Sequence, residues 1–510
     1  MLDWFRRKGI GRKRPRRSRE GKQPIYDFLL TWDGKAPLPD EKPAPGKLRF
    51  APGALEGVVR NHGQLAEADQ RKLAEIHEAL ERARQVDSQE TLDALYEILV
   101  DVEALRFADP IARPLAGSSR VTMTRVARWL VTRSTHREPA KIGLFLLGLS
   151  ARESDLPLAK TFARHGEFTS WAADCAWNML DDVIPVWMEM CEGQSGWGRV
   201  ELVRRIASEG SERAEVAHWL LRHGCDGDFL DTYIAYDCAT IGKLAEALDA
   251  EVLDAELRRG ARHMLNALIT GGPAEELADL DDRAIVLDRY TQWMQTLEPA
   301  IEELALLASI VDWLERHDLG DAELQQRLRI RCRGILERPR SIEAVTAAIR
   351  GNDPSAWPIA QTLRLDLWEE AFANLQQPSM HDAWWYQSLV ATTDATRLAR
   401  LLAFAEERLP LARIATGPTD EPGFGAGFEP HNALDMLLQA MTRPEVFSSK
   451  LIAAALRSAV PRNRYGAMRA IAAHRRQCDA AIRDALAKTA RDDTRDDLRR
   501  EARQALESLR

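Results

Sequence analysis

Arg464-Tyr465-Gly466-Ala467-Met468-Arg469-Ala470-Ile471 recurs 35 residues later as Arg499-Arg500-Glu501-Ala502-Arg503-Gln504-Ala505-Leu506. Both copies read Arg-x-x-Ala-x-x-Ala followed by Ile or Leu. On a helix, small residues three apart beside a branched apolar residue form one narrow stripe for close packing, and the arginine is expected on the solvent side. A helix this short cannot cover such a stripe alone. A periodic copy therefore predicts helices stacked on their neighbours.

Upstream, the same rhythm continues from about residue 64. Leu73, Ile76, His77 and Leu80 make one stripe, and Leu92, Leu95, Tyr96 and Leu99 make the next. Asp87-Ser88-Gln89-Glu90 reads as a capping box opening the second, with Asp87 as cap and Glu90 reaching back. Lys141 to Ser150 is apolar nearly all round, which predicts an inner helix. No alternating strand pattern follows, so the fold class is all-α.

A second repeat lies mid-chain. Arg164-His165-Gly166 precedes Phe168, Trp171 and Cys175; Arg222-His223-Gly224 precedes Phe229, Tyr233 and Cys238; Arg316-His317 precedes Cys332. The pattern predicts a helix ending in Arg-His, a turn, and a helix with an aromatic residue and a cysteine inside.

The C-terminal copies resemble HEAT-type α-solenoids, whose second helices carry Val-Arg-x-x-Ala-x-x-Ala-Leu. Leu498 to Leu506 matches with Leu in place of Val, whereas the earlier copy has Asn463 in that first position. The resemblance implies a curved stack of antiparallel helix pairs serving as a binding surface. Over residues 64–415 only the helix-pair rhythm matches, since His165, His223 and His317 are spaced by 58 and then 94 residues.

Charge is unevenly placed. Residues 1–22 hold ten Lys or Arg and two acids, while the rest of the chain holds 60 basic against 76 acidic residues. An arm of +8 on a body of −16 makes residues 6–22, with Arg12, Lys13, Arg14, Arg16 and Arg17 at the centre, the candidate contact for nucleic acid or an anionic membrane. Gly9, Gly11 and Pro15 argue against a helix there. A solvated tail, or one folded back on the acidic body, explains the same residues.

Six scattered cysteines without a C-x-x-C pair point to a reducing compartment and away from a disulfide framework. The most apolar run, Ile142 to Leu149, falls far short of the about 20 residues that span a bilayer. No signal peptide pattern is visible, and the expected location is cytoplasmic. The chain divides into a basic arm (1–22), a Pro-rich leader or cap (23–60), an irregular helical-repeat solenoid (61–415), a Gly/Pro-rich loop (416–430) and C-terminal repeats (431–510). The apolar stretch Ile25 to Trp32 of the leader should pack on something, such as the first helix of the stack.

Four groups of residues invite a functional reading. His223, Cys225 and Cys238 are metal-ligand types, but paired ligands two to four apart are missing, so no metal is expected there. In the loop, Gly423, Gly425 and Gly427 suggest a phosphate cradle, yet no Lys-Ser/Thr follows and no strand precedes. Phe424 and Phe428 are instead candidate partner anchors, as are Trp384 and Trp385, whose side chains point about 100° apart on a helix. Glu429, His431 and Asp435, with His381 and Asp382, could form an acid/base or metal site, but a capped helix start with an ordinary surface pair is the favoured reading of them.

The sequence therefore points to a protein-interaction scaffold with no cofactor, partnered by another protein. A nucleic-acid-associated protein using the arm, and an enzyme centred on Glu429, His431 and Asp435, are the alternatives. Oligomeric state is not encoded in any of these patterns.

Overall fold

The computed structural model describes residues 19, 21–41, 50–62, 67–115, 119–150, 152–379, 382–425 and 427–509. Among these residues there are 29 α-helices and no strand. Most helices pack mainly on helices close to them along the chain, which makes the protein an all-α solenoid. No helix among the described residues is long and apolar enough to cross a membrane. Contacts divide the chain into two compact units, one running to Leu280 and one from Asp281 onward.

In the first unit, the leader is bolted into the body. Helix Ile25–Leu30 buries Ile25 and Leu29 against helices Arg120–Arg133 and Leu156–Ala163, not against the first helix of the stack. Six residues make too few backbone hydrogen bonds to hold a helix alone. Its open C-terminal end is closed by Arg164, which donates to the carbonyls of Leu29 (2.7 Å), Leu30 (2.9 Å) and Trp32 (3.0 Å).

Helix Arg137–Ser150 is the inner helix that its composition predicts, with both faces largely buried. It also buries a lysine: Lys141 is 2% exposed and donates to Glu56 (2.6 Å) and Glu167 (2.7 Å), with Glu138 at 3.7 Å. One turn earlier, Arg137 bridges Asp40 (3.1 Å) and Glu167 (3.3 Å). Asp40 and Glu56 come from the N-terminal segment, so buried ion pairs tie that segment to the stack.

Two local details differ from the sequence reading. The cap of helix Gln89–Leu99 is Ser88, whose hydroxyl accepts from the Thr91 amide, while Asp87 pairs with Arg125. In the mid-chain repeat, Phe168, Trp171, Cys175, Cys238 and Cys332 are buried as expected, but Phe229 is exposed in a tight turn.

In the second unit, the deciding motif occupies helix Pro461–Ala473 and its copy occupies helix Asp496–Ser508, with helix Ala480–Asp492 packed on the latter. Ala467, Ala470 and Ile471 form the buried stripe. Arg464, however, is not on the solvent side; it is fully buried. Its guanidinium pairs with Asp493 (2.9 Å), in the turn between the next two helices, and donates to the carbonyls of Ser458 and Thr419 (2.8 Å each). A long side chain on a small-residue stripe has room to lie inward, and carbonyls left open at helix ends give it partners. Arg499, its copy, stays partly exposed and makes only local contacts to the Asp493 carbonyl and to Asp496.

Candidate functional site

Three prolines shape an open groove in the second unit. Pro378 follows helix Trp368–Asn374, Pro410 prevents helix Ala395–Arg408 from continuing, and Pro430 sits in the first turn of helix Glu429–Ala440. Because helices stop or start at these points, a gap of about 510 Å³ opens between them and helix Asp382–Val390. Leu375, Tyr386, Leu409 and Ala433, all buried, form its apolar floor. Burial pushes the Tyr386 hydroxyl above its usual titration range, with the Asp382 charge adding to it, so that it stays protonated.

The charged groups lining the groove are unequal. Asp382 accepts from the Ser379 amide (3.0 Å) and hydroxyl (3.1 Å), and Glu429 accepts from the Gly427 amide (2.8 Å). Both acids are engaged within their own turns. Arg408 and Arg413 are exposed, and among the described residues neither guanidinium has a hydrogen-bond or carboxylate partner. The Arg408 guanidinium lies 5.6 Å from the Phe404 ring centroid.

No protein-family model matches the chain, and no curated protein sequence does either.

The groove collects only part of the sequence-level acid/base set. Glu429 and Asp382 line it; His431 and Asp435 face elsewhere, and His381 lies outside the described residues. His431 is buried with its Nδ1 3.0 Å from the Ser458 hydroxyl, and burial together with Arg462 holds its pKa below the ordinary value. Asp435 accepts from Gln439 (3.1 Å) and lies 3.6 Å from Arg462. The shared face of the helix start is thus a packed one, and its polar atoms are satisfied by three different neighbours.

The 416–430 loop is stitched down rather than free-standing. The Gly417 and Glu421 amides donate to the Arg457 and Ala459 carbonyls, and Arg462 donates to the Gly423 carbonyl (2.8 Å). Gly423 has φ +74° with Val460 directly behind it, so a side chain there would be both strained and crowded. Turn geometry accounts for this glycine. Phe424 is left 62% exposed beneath the Arg462 guanidinium (4.9 Å to the ring), whereas Phe428 is half-buried against His431 (5.6 Å). The tryptophan pair divides in the same manner: Trp385 is buried and donates to Asn352 (2.6 Å), while Trp384 is 56% exposed.

The structure brings Cys225 and Cys238 into side-chain contact with each other, but together with His223 they do not form a ligand set. Cys225 and Cys238 are buried, with Gly224 packed on the Cys238 sulfur, while the His223 ring lies against Trp219 with Glu256 at 3.9 Å. Among the described residues, no three His, Cys, Asp or Glu side chains are placed to hold a metal ion. What holds this turn is Arg199, which donates to the His223 and Gly224 carbonyls. Nearby Asp231, which the sequence reading passed over, is buried and pushed up to about 7 by desolvation, despite hydrogen bonds from the Gly227 and Asp226 amides.

Of the basic arm, Arg12, Lys13, Arg14, Arg16 and Arg17 lie outside the described residues. Arg19 folds back on the body, paired with Asp93 and lying over the rings of Trp129 (4.5 Å) and Tyr96 (5.0 Å). The groove arginines were likewise missed from sequence. The available signal was three prolines that each interrupt a helical pattern within a span of some fifty residues.

Proposed function

We propose that the protein is an interaction scaffold of the HEAT-like helical-repeat kind, and that the groove between Leu375 and Ala433 receives a segment of another protein. The observation that carries this reading is the groove itself: an apolar floor of buried side chains lies beside two exposed arginines whose guanidinium groups have no hydrogen-bond or carboxylate partner among the described residues. Interfaces concentrate their energy where an anchor side chain fills such a pocket and a polar rim surrounds it. The exposed Trp384 and Phe424 are further contact points on the same unit.

Photo-crosslinking tests the reading. A benzophenone amino acid at Gln376, on the groove wall, should capture a discrete protein from native extract. The same label at exposed Glu343 should not. Equal labelling from both positions would remove the groove as a docking site.

A further inference from the structure

The polar groups of the groove differ in what they have left to offer. Its two acids accept hydrogen bonds from their own turns, whereas Arg408 and Arg413 have neither a hydrogen-bond nor a carboxylate partner among the described residues. Some surface arginines of this unit are matched, Arg397 with Asp366 (2.8 Å), Arg400 with Glu369 (2.7 Å) and Arg350 with Glu370 (3.0 Å), whereas others, such as Arg364 and Arg500, have no hydrogen-bond or carboxylate partner for their guanidinium among the described residues. What sets Arg408 and Arg413 apart from those is that both line a groove with an apolar floor.

We propose that the groove takes an acidic segment of another protein, with an apolar side chain seated on the floor and carboxylates flanking it against Arg408 and Arg413. The assignment rests on the groove being an interaction site. Guanidinium groups favour planar carboxylates, which they bind through two parallel hydrogen bonds. An inorganic anion would leave most of the gap beside Leu375, Leu409 and Ala433 empty, which favours a ligand with an apolar side chain as well as carboxylates. A gap of about 510 Å³ admits a few side chains and not a folded domain, which selects a peptide segment. The net negative charge of the body does not oppose this at short range. At physiological salt its field decays over about 8 Å, so the nearest charges decide.

The test is a selection of random twelve-residue displayed peptides on the full-length protein. Enriched peptides are then synthesised with a fluorescent label and titrated by anisotropy. Peptides with several Asp or Glu around an apolar residue should emerge. Their affinity should fall at least about tenfold in Arg408→Glu/Arg413→Glu, fall less in the double Gln variant, and change under about twofold in Arg500→Glu. Both groove arginines are exposed, and circular dichroism of each variant establishes that it is folded. Binding should also weaken between low and high salt. Enrichment of neutral or basic peptides that Ala433→Trp displaces would overturn the acidic assignment and keep the groove. Acidic peptides indifferent to the double Glu variant would also overturn the assignment. No enrichment of any peptide would remove the groove reading and this inference with it.

Discussion

Single side chains in this protein do work that their position in a pattern does not reveal. Arg464 sits where a surface arginine is expected on the helical stripe, yet it is enclosed with Asp493. Removing one member of such a pair leaves the other charge buried and alone. Arg464→Met should therefore destabilise the second unit by about 3–5 kcal/mol, and Arg464→Met/Asp493→Leu by markedly less. Urea unfolding followed by hydrogen exchange of the 461–508 helices measures this, and equal losses for both variants would refute the pairing. Two buried groups of the first unit titrate in opposite senses. Burial holds His165 down to about 4 from 6.5, so the unfolded chain takes up its proton first, and this contribution to stability is lost as pH falls from 6.5 towards 4. Asp231, raised from 3.8 to about 7, keeps its proton longer when folded, and its contribution is lost as pH rises through 7. Each slope approaches about 1.4 kcal/mol per pH unit, so they oppose one another between pH 4 and 6.5. In urea series across that range, Asp231→Asn should gain stability with pH more steeply than the wild type, and His165→Phe should lose it with rising pH. Parallel pH profiles for all three proteins would refute the assignment.

At the scale of elements, the sequence was most readable where apolar spacing alone decides. The stripes through Leu92 and Leu99, and through Ala467 and Ile471, are buried as their periodicity requires. Adjacent Trp384 and Trp385 fall on opposite sides of the surface, as a 100° turn demands. Less readable were contacts made across long sequence separations. Nothing near Ile25 announces that Arg164 will close its helix, because that hydrogen-bond set spans more than 130 residues. Arg164→Ala leaves those carbonyls without their donor, a loss of about 1–3 kcal/mol localised to the leader. Amides of residues 25–32 should then exchange faster and the segment should be clipped earlier by protease, with helices beyond residue 281 unchanged. Unaltered protection of 25–32 would show that burial of Ile25 and Leu29 suffices. The groove was half-legible for a related reason. Prolines mark where helices stop, but which helix ends then face one another is a tertiary outcome.

For the whole molecule, the boundary at Leu280 and Asp281 was not read from the sequence, although Gly271-Gly272-Pro273 ends helix Ala255–Thr270 shortly before it. Leu280-Asp281-Asp282 carries no Pro, Gly or Ser and passes directly into helix Arg283–Thr296. The Gly- and Pro-rich stretch that does look like a break, 416–430, is held inside the second unit by backbone hydrogen bonds to 457–459. Composition marks where a chain can bend; contact density marks where cores separate, and in stacked helices the two need not coincide. The second unit has its own buried residues from Val286 to Leu509 and lies within the size range of independent domains. A fragment of residues 281–510 should therefore be helical by circular dichroism and unfold in one cooperative transition. It should also retain the groove, since every lining residue from Leu375 to Ala433 belongs to it. The decisive measurement is binding of a groove-selected peptide to the fragment. Affinity within about threefold of the full chain, a difference below 1 kcal/mol, supports an autonomous binding unit. A helical but non-binding fragment would refute the second unit as an autonomous binding unit.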